Sequence, residues 1–259
     1  HIAATGPNGR ITADDVRAVG SRTAAAGPIA TATPVPAADP VTGPSTTRAL
    51  QGLRRSIAAA MTQALSVPAI MEFREVDATA LLEARDRLAT SLGATKQSVT
   101  PLLIRLVVAG LQQHPHLNAR FDPARGEVTE YESVHVGIAT ATPDGLIEPV
   151  LHDAQAATLA DIAGQVDRLS AAAKARTVTP DELAGGTVTV TNFGSFGTWL
   201  GTPIIRVPEV AIVGFGRIAE RPVAVGGHVV ARPTLPVVIS VDHRVNDGAH
   251  LGAFAATLE

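Results

Sequence analysis

The pattern of hydrophobic and polar positions changes near residue 48 of this chain. Beyond that point, apolar residues recur with a period of about 3.6, typical of helices, or of two, typical of strands. The helical pattern predicts helices over 48–67, 80–92, 101–113, 158–173 and from 248 to the end of the chain. The strand pattern predicts strands over 70–76, 134–141, 146–151, 187–193, 209–215, 221–232 and 236–242.

Turn and capping signals connect these elements. Pro143-Asp144-Gly145 predicts a hairpin between the second and third strands, and Gly226-Gly227 predicts that the sixth folds back on itself. Thr100 is a predicted helix cap, as is Thr158 together with Asp161. Strands and helices mixed along the chain in this way indicate an α/β domain with a mixed β-sheet and its helices on one side.

The first 47 residues differ from this domain. Residues 1–19 predict a turn and a short helix that Thr12 and Asp15 cap, too short to bury a core alone. Residues 20–47 carry five prolines among Ala, Thr, Gly and Val, without any period. Such a composition is typical of an extended, flexible linker. The folded domain is therefore predicted to span 48–259.

Composition narrows the class of protein. The 259 residues are 46% hydrophobic and 17% charged, with a net charge of -3. This is a globular profile that gives no electrostatic reason to expect nucleic acid. Because the chain has no cysteine, disulfides and thiolate metal sites are excluded. The longest apolar stretch outside the strands, 102–111, is too short to cross a membrane.

The strand 236–242 ends in titratable residues. His243 follows it directly, and Asp247 comes four residues later. A buried strand would hold such side chains rigidly, which suits reactive groups. Three interpretations are open: a histidine paired with a carboxylate for structural reasons, a metal site that adds His250 without a clear third ligand at fixed spacing, or a general base. A base would act on a nucleophile brought by a substrate, since the chain offers no cysteine.

A second polar segment is the strand 187–193. Thr187, Thr189 and Thr191 share one face of this strand at period two. One interpretation is the β-propensity of threonine alone. The other is that Thr191, at the strand end beside glycines that permit close approach, donates a hydrogen bond to a developing oxyanion.

Both segments belong to a wider resemblance. Residues 242–249 (DHRVNDGA) closely resemble the active-site motif of the dihydrolipoamide acyltransferases, the core components of 2-oxoacid dehydrogenase complexes. Other segments resemble further family signatures: 5–16 (TGPNGRITADDV, the second half of a peripheral subunit-binding domain), 100–105 (TPLLIR), 114–121 (HPHLNARF), 145–150 (GLIEPV) and 187–197 (TVTVTNFGSFG). The chain departs from the family at Asn246, where an apolar residue is usual, and at Ala69, where many members have histidine.

The resemblance implies a chloramphenicol-acetyltransferase-like fold and acyl transfer between S-acyl-dihydrolipoamide and coenzyme A. His243 would be the general base on the thiol of coenzyme A, and Thr191 would stabilise the oxyanion. Asp247 would hold the loop that presents His243 by pairing with an arginine of the first helix, Arg54 or Arg55.

The resemblance also implies substrate contacts and an acyl group. Asn192 and Thr202 are expected to bind substrate. The segment 201–204 (GTPI) resembles branched-chain-type members, which favours a branched-chain acyl group over acetyl or succinyl. The lipoyl group is expected on a separate domain that this chain lacks.

Assembly and partners follow from the same resemblance. Homotrimers are expected, with His243 from one subunit and Thr191 from the next, and the trimers build a cubic or dodecahedral core. Residues 1–19, a partial peripheral subunit-binding domain, would contact the 2-oxoacid dehydrogenase or dihydrolipoamide dehydrogenase through Arg10. The expected location is the bacterial cytoplasm, or the mitochondrial matrix in a eukaryote.

Two alternatives remain beside this reading. A free-standing acetyltransferase of the chloramphenicol type is disfavoured by residues 1–47, which that class lacks. A non-catalytic scaffold of the same core is disfavoured because His243, Asp247 and Thr191 are all present.

Overall fold

The computed structural model describes residues 5–7, 10–15, 43–95 and 97–259, in two compact units, His1–Arg48 and Ala49–Glu259. In the first unit the Asp15 carboxylate accepts hydrogen bonds from the backbone of Thr5 and Thr12, and its own amide donates to the Thr12 hydroxyl. The predicted Thr12/Asp15 cap is therefore confirmed. Most of the predicted linker lies outside the described residues, and the subunit-binding domain stays a prediction.

The second unit alternates strands with helices. Its helices are α1 (Gly52–Ala64), α2 (Thr79–Ser91), α3 (Thr100–Gln113), α4 (Leu159–Ala175) and α5 (Gly248–Thr257). Its strands are β1 (Ala69–Asp77), β2 (Ala119–Asp122), β3 (Glu127–Glu130), β4 (Val136–Ile138), β5 (Thr140–Thr142), β6 (Gly145–Ile147), β7 (Val150–Leu151), β8 (Val188–Asn192), β9 (Ala211–Phe215), β10 (Ala219–Val225) and β11 (His228–Asp242). Within the described ranges, no helix has the length and hydrophobicity needed to cross a bilayer.

A seven-stranded sheet organises this unit, in the order β1-β11-β9-β8-β4-β7, with β10 also paired to β11. The long strand β11 is antiparallel to β1 on one side and to β9 and β10, end to end, on the other. Strand β8 is parallel to both β9 and β4. The sheet is therefore mixed, as the sequence predicted.

Strand β11 is continuous where the sequence predicted two strands, so the predicted break between 232 and 236 is wrong. Its prolines sit where a missing amide costs nothing. The carbonyl of Pro236 accepts from Gly216, in the gap between β9 and β10. That of Pro233 accepts from Ala78, just past the end of β1. Because the nitrogen and carbonyl of a strand residue point to the same side, the missing amide of each proline would point to a residue outside the strands.

The two faces of the sheet have different coverings. Alternate residues such as Val190, Val213 and Ile239 pack against buried side chains of α3, α4 and α5 in one hydrophobic core. The opposite face carries Thr189 and Thr191 in β8. The prediction of helices on one side is confirmed for α3, α4 and α5, whereas Met61 of α1 lies on the Thr191 face.

Several predicted details change. The hairpin at 143–145 forms, but its arms divide into β4–β7 in the main sheet and a separate β5–β6 pair. The hairpin β2–β3 was not predicted. The Thr158/Asp161 cap is confirmed. Thr100 is not a cap, because α3 already begins at this residue and Val99 precedes it.

Candidate active site

His243 emerges from the buried end of β11 with one fixed ring orientation. Its backbone amide donates to the carbonyl of Pro68 at 2.9 Å, which ties the residue to the start of β1. Its ring Nδ1 lies 2.9 Å from the carbonyl oxygen of Asn246. A carbonyl can only accept, so Nδ1 carries the proton and Nε2 keeps its lone pair. Among the described residues Nε2 has no hydrogen-bond partner, so it is available to accept a proton.

The turn that carries His243 is closed by a charge pair. The carboxylate of Asp242, 1% exposed, accepts from Nε and Nη2 of Arg244 at 2.9 and 2.7 Å and from the Arg244 amide at 3.0 Å. The guanidinium of Arg244 lies 4.8 Å from the ring centre of Phe121. The carbonyl of Asp242 also accepts from the amides of Val245 and Asn246. The buried charge is thereby paired, and the turn is rigid.

Asp247 is the N-cap of α5. Its carboxylate accepts from the amides of Ala249 at 2.9 Å and His250 at 3.0 Å, and these bonds hold its pKa below the usual range. Nδ1 of His250 lies 3.5 Å from the same carboxylate and accepts from the Asp247 amide. The predicted pairing with Arg54 or Arg55 is not seen among the described residues of one chain, where both cap bonds end on Oδ1. It stays a prediction. The structural role of the residue remains.

The capping role predicts how Asp247 variants behave. Asp247→Ala should lower the free energy of unfolding by about 1 kcal/mol, since the first amides of α5 lose their acceptor. Asp247→Asn should retain most of that stability, because asparagine caps a helix about as well as aspartate. Thermal unfolding of both variants checks this. Equal losses for the two would contradict the cap and point to the charge instead.

Three threonines on one face, Thr187 just before β8 and Thr189 and Thr191 within it, have different partners. The Thr187 hydroxyl donates to Asn118 and that of Thr189 to Glu209, at 2.5 and 2.7 Å. Thr191 makes no side-chain hydrogen bond within the part of the chain that the structure describes. Two of the hydroxyls thus serve the fold. The third is available to donate to a ligand, which favours the oxyanion interpretation of Thr191 over simple β-propensity.

A cavity of about 320 Å³ opens against Thr191. Thr202 lines it too, so the structure brings these two predicted residues together. Asn192 points the other way, because neighbouring strand residues face opposite sides of a sheet. Its side chain donates to the Thr100 hydroxyl at 3.1 Å and lines a separate pocket. A substrate role for Asn192 would need a ligand on that other side.

Two carboxyls lie on the Thr191 side of the sheet, the partly buried Glu148 and the buried Glu209. Glu148 forms part of the cavity wall, and Nε of Arg206 lies 3.4 Å from its carboxylate. Burial raises the pKa of Glu148. Glu209, 3% exposed, accepts from Thr189, and burial raises its pKa to about 7. Arg206 and Arg120 are the cations that lower the pKa of Glu209, against desolvation and the charge of Glu148.

The raised pKa of Glu209 predicts a pH-dependent stability. Between about pH 4.5 and pH 7 the folded chain keeps a proton on Glu209 that the unfolded chain has lost. The contribution of this carboxyl to the free energy of unfolding therefore falls as pH rises through that range, by about 3 kcal/mol. Glu209→Gln keeps an acceptor for Thr189 and removes the titration. Urea unfolding at both ends of the range should show a smaller decrease in the variant, and an equal decrease would contradict this account.

His243 and Thr191 lie far apart in one chain. Across the sheet, Thr191 pairs with Gly214, which pairs with Val238. His243 is five residues further along β11, or roughly 17 Å along the strands, with two strand spacings of about 5 Å between. The residues are at opposite ends of the sheet, and no side chain spans that distance. A site that uses both needs two copies of the chain.

Three residues that shape these two regions, Asp242, Arg244 and Glu148, were not predicted from the sequence. The sequence could have predicted the pairing of Asp242 with Arg244. A carboxylate that ends a buried strand requires a partner, and an arginine lies two residues away. The sequence gives only a weak indication for Glu148, which is a carboxylate between apolar neighbours. Arg10, predicted to contact a partner, is exposed in the first unit, and its role stays a prediction.

Comparison with known proteins gives the family. The model of the 2-oxoacid dehydrogenases acyltransferase catalytic domain matches residues 42–259. The lipoamide acyltransferase component of the branched-chain alpha-keto acid dehydrogenase complex of Pseudomonas aeruginosa is 42% identical over 206 residues, covering 78% of this chain and 48% of that protein. The chain thus spans about half the length of the curated relatives it matches, which reach 48% and 49% coverage in two Pseudomonas proteins.

Solved structures agree with this match. The cubic core of a pyruvate dehydrogenase multienzyme complex superimposes with a TM-score of 0.81 at 29% identity, covering 87% of this chain and 95% of that one. A chloramphenicol acetyltransferase gives 0.51 at 15% identity, covering 78% and 92%, which confirms the predicted fold and says nothing of activity. Because the catalytic-domain model covers well over half of its residues, the chain belongs to the 2-oxoacid dehydrogenase acyltransferase family.

Proposed function

We propose that this chain transfers an acyl group between the thiol of a dihydrolipoyl group and the thiol of coenzyme A. The observation that carries the proposal is the orientation of His243, whose Nδ1 donates to the Asn246 carbonyl and leaves Nε2 as a free base. The family and the Pseudomonas relative support the same reaction. A branched-chain acyl group is the preferred substrate.

The first step is a proton transfer. Nε2 of His243 removes the proton from the thiol of coenzyme A, and the new thiolate attacks the carbonyl carbon of the S-acyl-dihydrolipoyl thioester. A thiol pKa of about 8.5 lies within roughly two units of an imidazole pKa of about 6.5, so this transfer is feasible near neutral pH. The rigid turn from Asp242 to Asn246 keeps the ring in place for the attack.

The second step is the collapse of the tetrahedral intermediate. Its oxyanion accepts a hydrogen bond from the hydroxyl of Thr191, which has no competing partner among the described residues. The bond from carbon to the dihydrolipoyl sulfur then breaks, and the proton on Nε2 of His243 passes to that leaving sulfur. The products are acyl-coenzyme A and a free dihydrolipoyl thiol.

The reaction requires an oligomer. The strand register that separates His243 from Thr191 supports a site in which one subunit supplies the base and its neighbour the hydroxyl. A homotrimer with cyclic symmetry provides three such sites. The cubic core found among the similar structures supports further assembly of the trimers into a larger core. The dehydrogenase and dihydrolipoamide dehydrogenase partners follow from the sequence resemblance alone.

An assay with several acyl donors tests the function. Purified protein is given coenzyme A with acetyl-, 3-methylbutanoyl- or succinyl-dihydrolipoamide, and acyl-coenzyme A is measured. We expect turnover, fastest with the branched donor. Intact assembly without turnover from any donor would favour a scaffold. Acetyl transfer to chloramphenicol in place of dihydrolipoamide would favour the free-standing acetyltransferase.

A further inference from the structure

The cavity beside Thr191 has apolar walls drawn from several parts of the chain. Met61 of α1, Leu146 of β6, Ile212 of β9 and Phe193 beyond β8 all line it. Its volume of about 320 Å³ lies in the range of small-molecule sites, roughly 300–1,000 Å³. If Thr191 holds the oxyanion, the acyl carbon lies beside its hydroxyl, and this cavity is the space nearest to the acyl chain.

Among the described residues that line this cavity, Glu148 is the one with an ionisable side chain. It follows β6 in the chain, and its side chain is 20% exposed. Arg206 neutralises it incompletely, because Nε stands 3.4 Å from the carboxylate, whereas Nη2 donates to the carbonyl of Leu183 at 2.7 Å. Arg206 lines the adjoining pocket on the other side of Glu148 and does not line the cavity itself.

We propose that Glu148 sets the acyl specificity of the Thr191 cavity, which accepts uncharged, branched acyl chains and rejects acyl chains that end in a carboxylate. The inference rests on the proposed function and adds a residue and a charge rule to it. The apolar walls stabilise a branched hydrocarbon by burial. A succinyl group would place a second carboxylate beside that of Glu148 in a partly buried site, where like charges repel strongly.

A merely structural role for Glu148 predicts a different result from a role in acyl specificity. A carboxylate needed only to anchor Arg206 would act equally on every donor, because it would not meet the acyl chain. A carboxylate in the cavity wall acts on one donor class. The informative quantity is therefore the ratio of kcat/KM for succinyl-dihydrolipoamide to kcat/KM for 3-methylbutanoyl-dihydrolipoamide.

The experiment compares Glu148→Gln with the wild type in the assembled protein. Glutamine keeps the size of the side chain and removes its charge. We expect the ratio of kcat/KM for the succinyl donor to that for the 3-methylbutanoyl donor to rise at least about tenfold. A tenfold change corresponds to about 1.4 kcal/mol of lost repulsion between the two carboxylates. Glu83→Gln, which removes a charge from the surface of α2, is the matched control and should leave the ratio unchanged.

The outcomes are distinct. An unchanged ratio in an active, assembled Glu148→Gln protein would overturn the proposal. So would an equal rise in Glu83→Gln, because the effect would then come from net charge. If Glu148→Gln does not fold, Glu148→Gln/Arg206→Gln removes both members of the pair and is tested in the same way. Loss of transfer from every donor in the wild type would instead contradict the proposed function.

Discussion

His243→Gln is expected to lower kcat/KM for acyl transfer to coenzyme A by about 10²–10⁴-fold. Glutamine places its amide where Nε2 of the imidazole stands, and an amide cannot take up the thiol proton. The turn should keep its shape, because the amides of Val245 and Asn246 still donate to the Asp242 carbonyl. The attacking thiolate would then come from the small ionised fraction in solution. Acyl-coenzyme A formation by the assembled variant measures the loss.

A matched control uses the same strand. His228 is exposed at the other end of β11, so His228→Gln should keep full activity. Light scattering confirms that both variants assemble. A His243→Gln protein that assembles and keeps activity within a few-fold of the wild type would remove the base from the mechanism.

Thr191→Val is expected to lower kcat by about 10²–10³-fold, because the oxyanion loses its donor. The Michaelis constant should change little, since this hydrogen bond strengthens only as negative charge develops. Valine keeps the shape and β-propensity of threonine, and the Thr191 hydroxyl has no structural bond to lose in the described chain. Steady-state kinetics of the assembled variant separate the two constants.

Thr191→Ser is the companion variant. It retains the hydroxyl and should recover most of the rate, although serine is less suited to a strand. A Thr191→Ser protein as slow as Thr191→Val would mean that the methyl group, through packing in the cavity, matters more than the hydroxyl. In that case a different group holds the oxyanion.

Much of this fold could be predicted because its strands and helix caps depend on residues that are close in sequence. The run 236–242 indicates a buried strand, and the structure makes it the C-terminal half of β11, with the titratable cluster at its end. The Thr158/Asp161 cap likewise depends on residues close in sequence. The break before 236 was wrong, because a proline in the sequence does not show whether a neighbouring strand lies where its missing amide would point. The Thr100 cap was also wrong.

The arrangement of the site depends on contacts distant in sequence. The sequence predicts Thr191 and His243 as reactive residues, but their separation follows from the register of β8, β9 and β11. The cap that Asp247 forms on α5 was likewise not predicted, although it depends on the nearby residues Ala249 and His250. The Glu148–Arg206 pair joins residues 58 positions apart, as the Arg206 bond to the Glu148 carbonyl records.

The central claim is that one active site needs two copies of the chain, and mixed assembly tests it most directly. Proteins carrying His243→Gln and Thr191→Val are each assembled alone, and are also refolded or coexpressed together. A subunit with intact His243 beside one with intact Thr191 restores a complete site, so random mixing should recover about a quarter of wild-type activity from two nearly inactive parents. Mixed assemblies no more active than their parents would contradict a shared site.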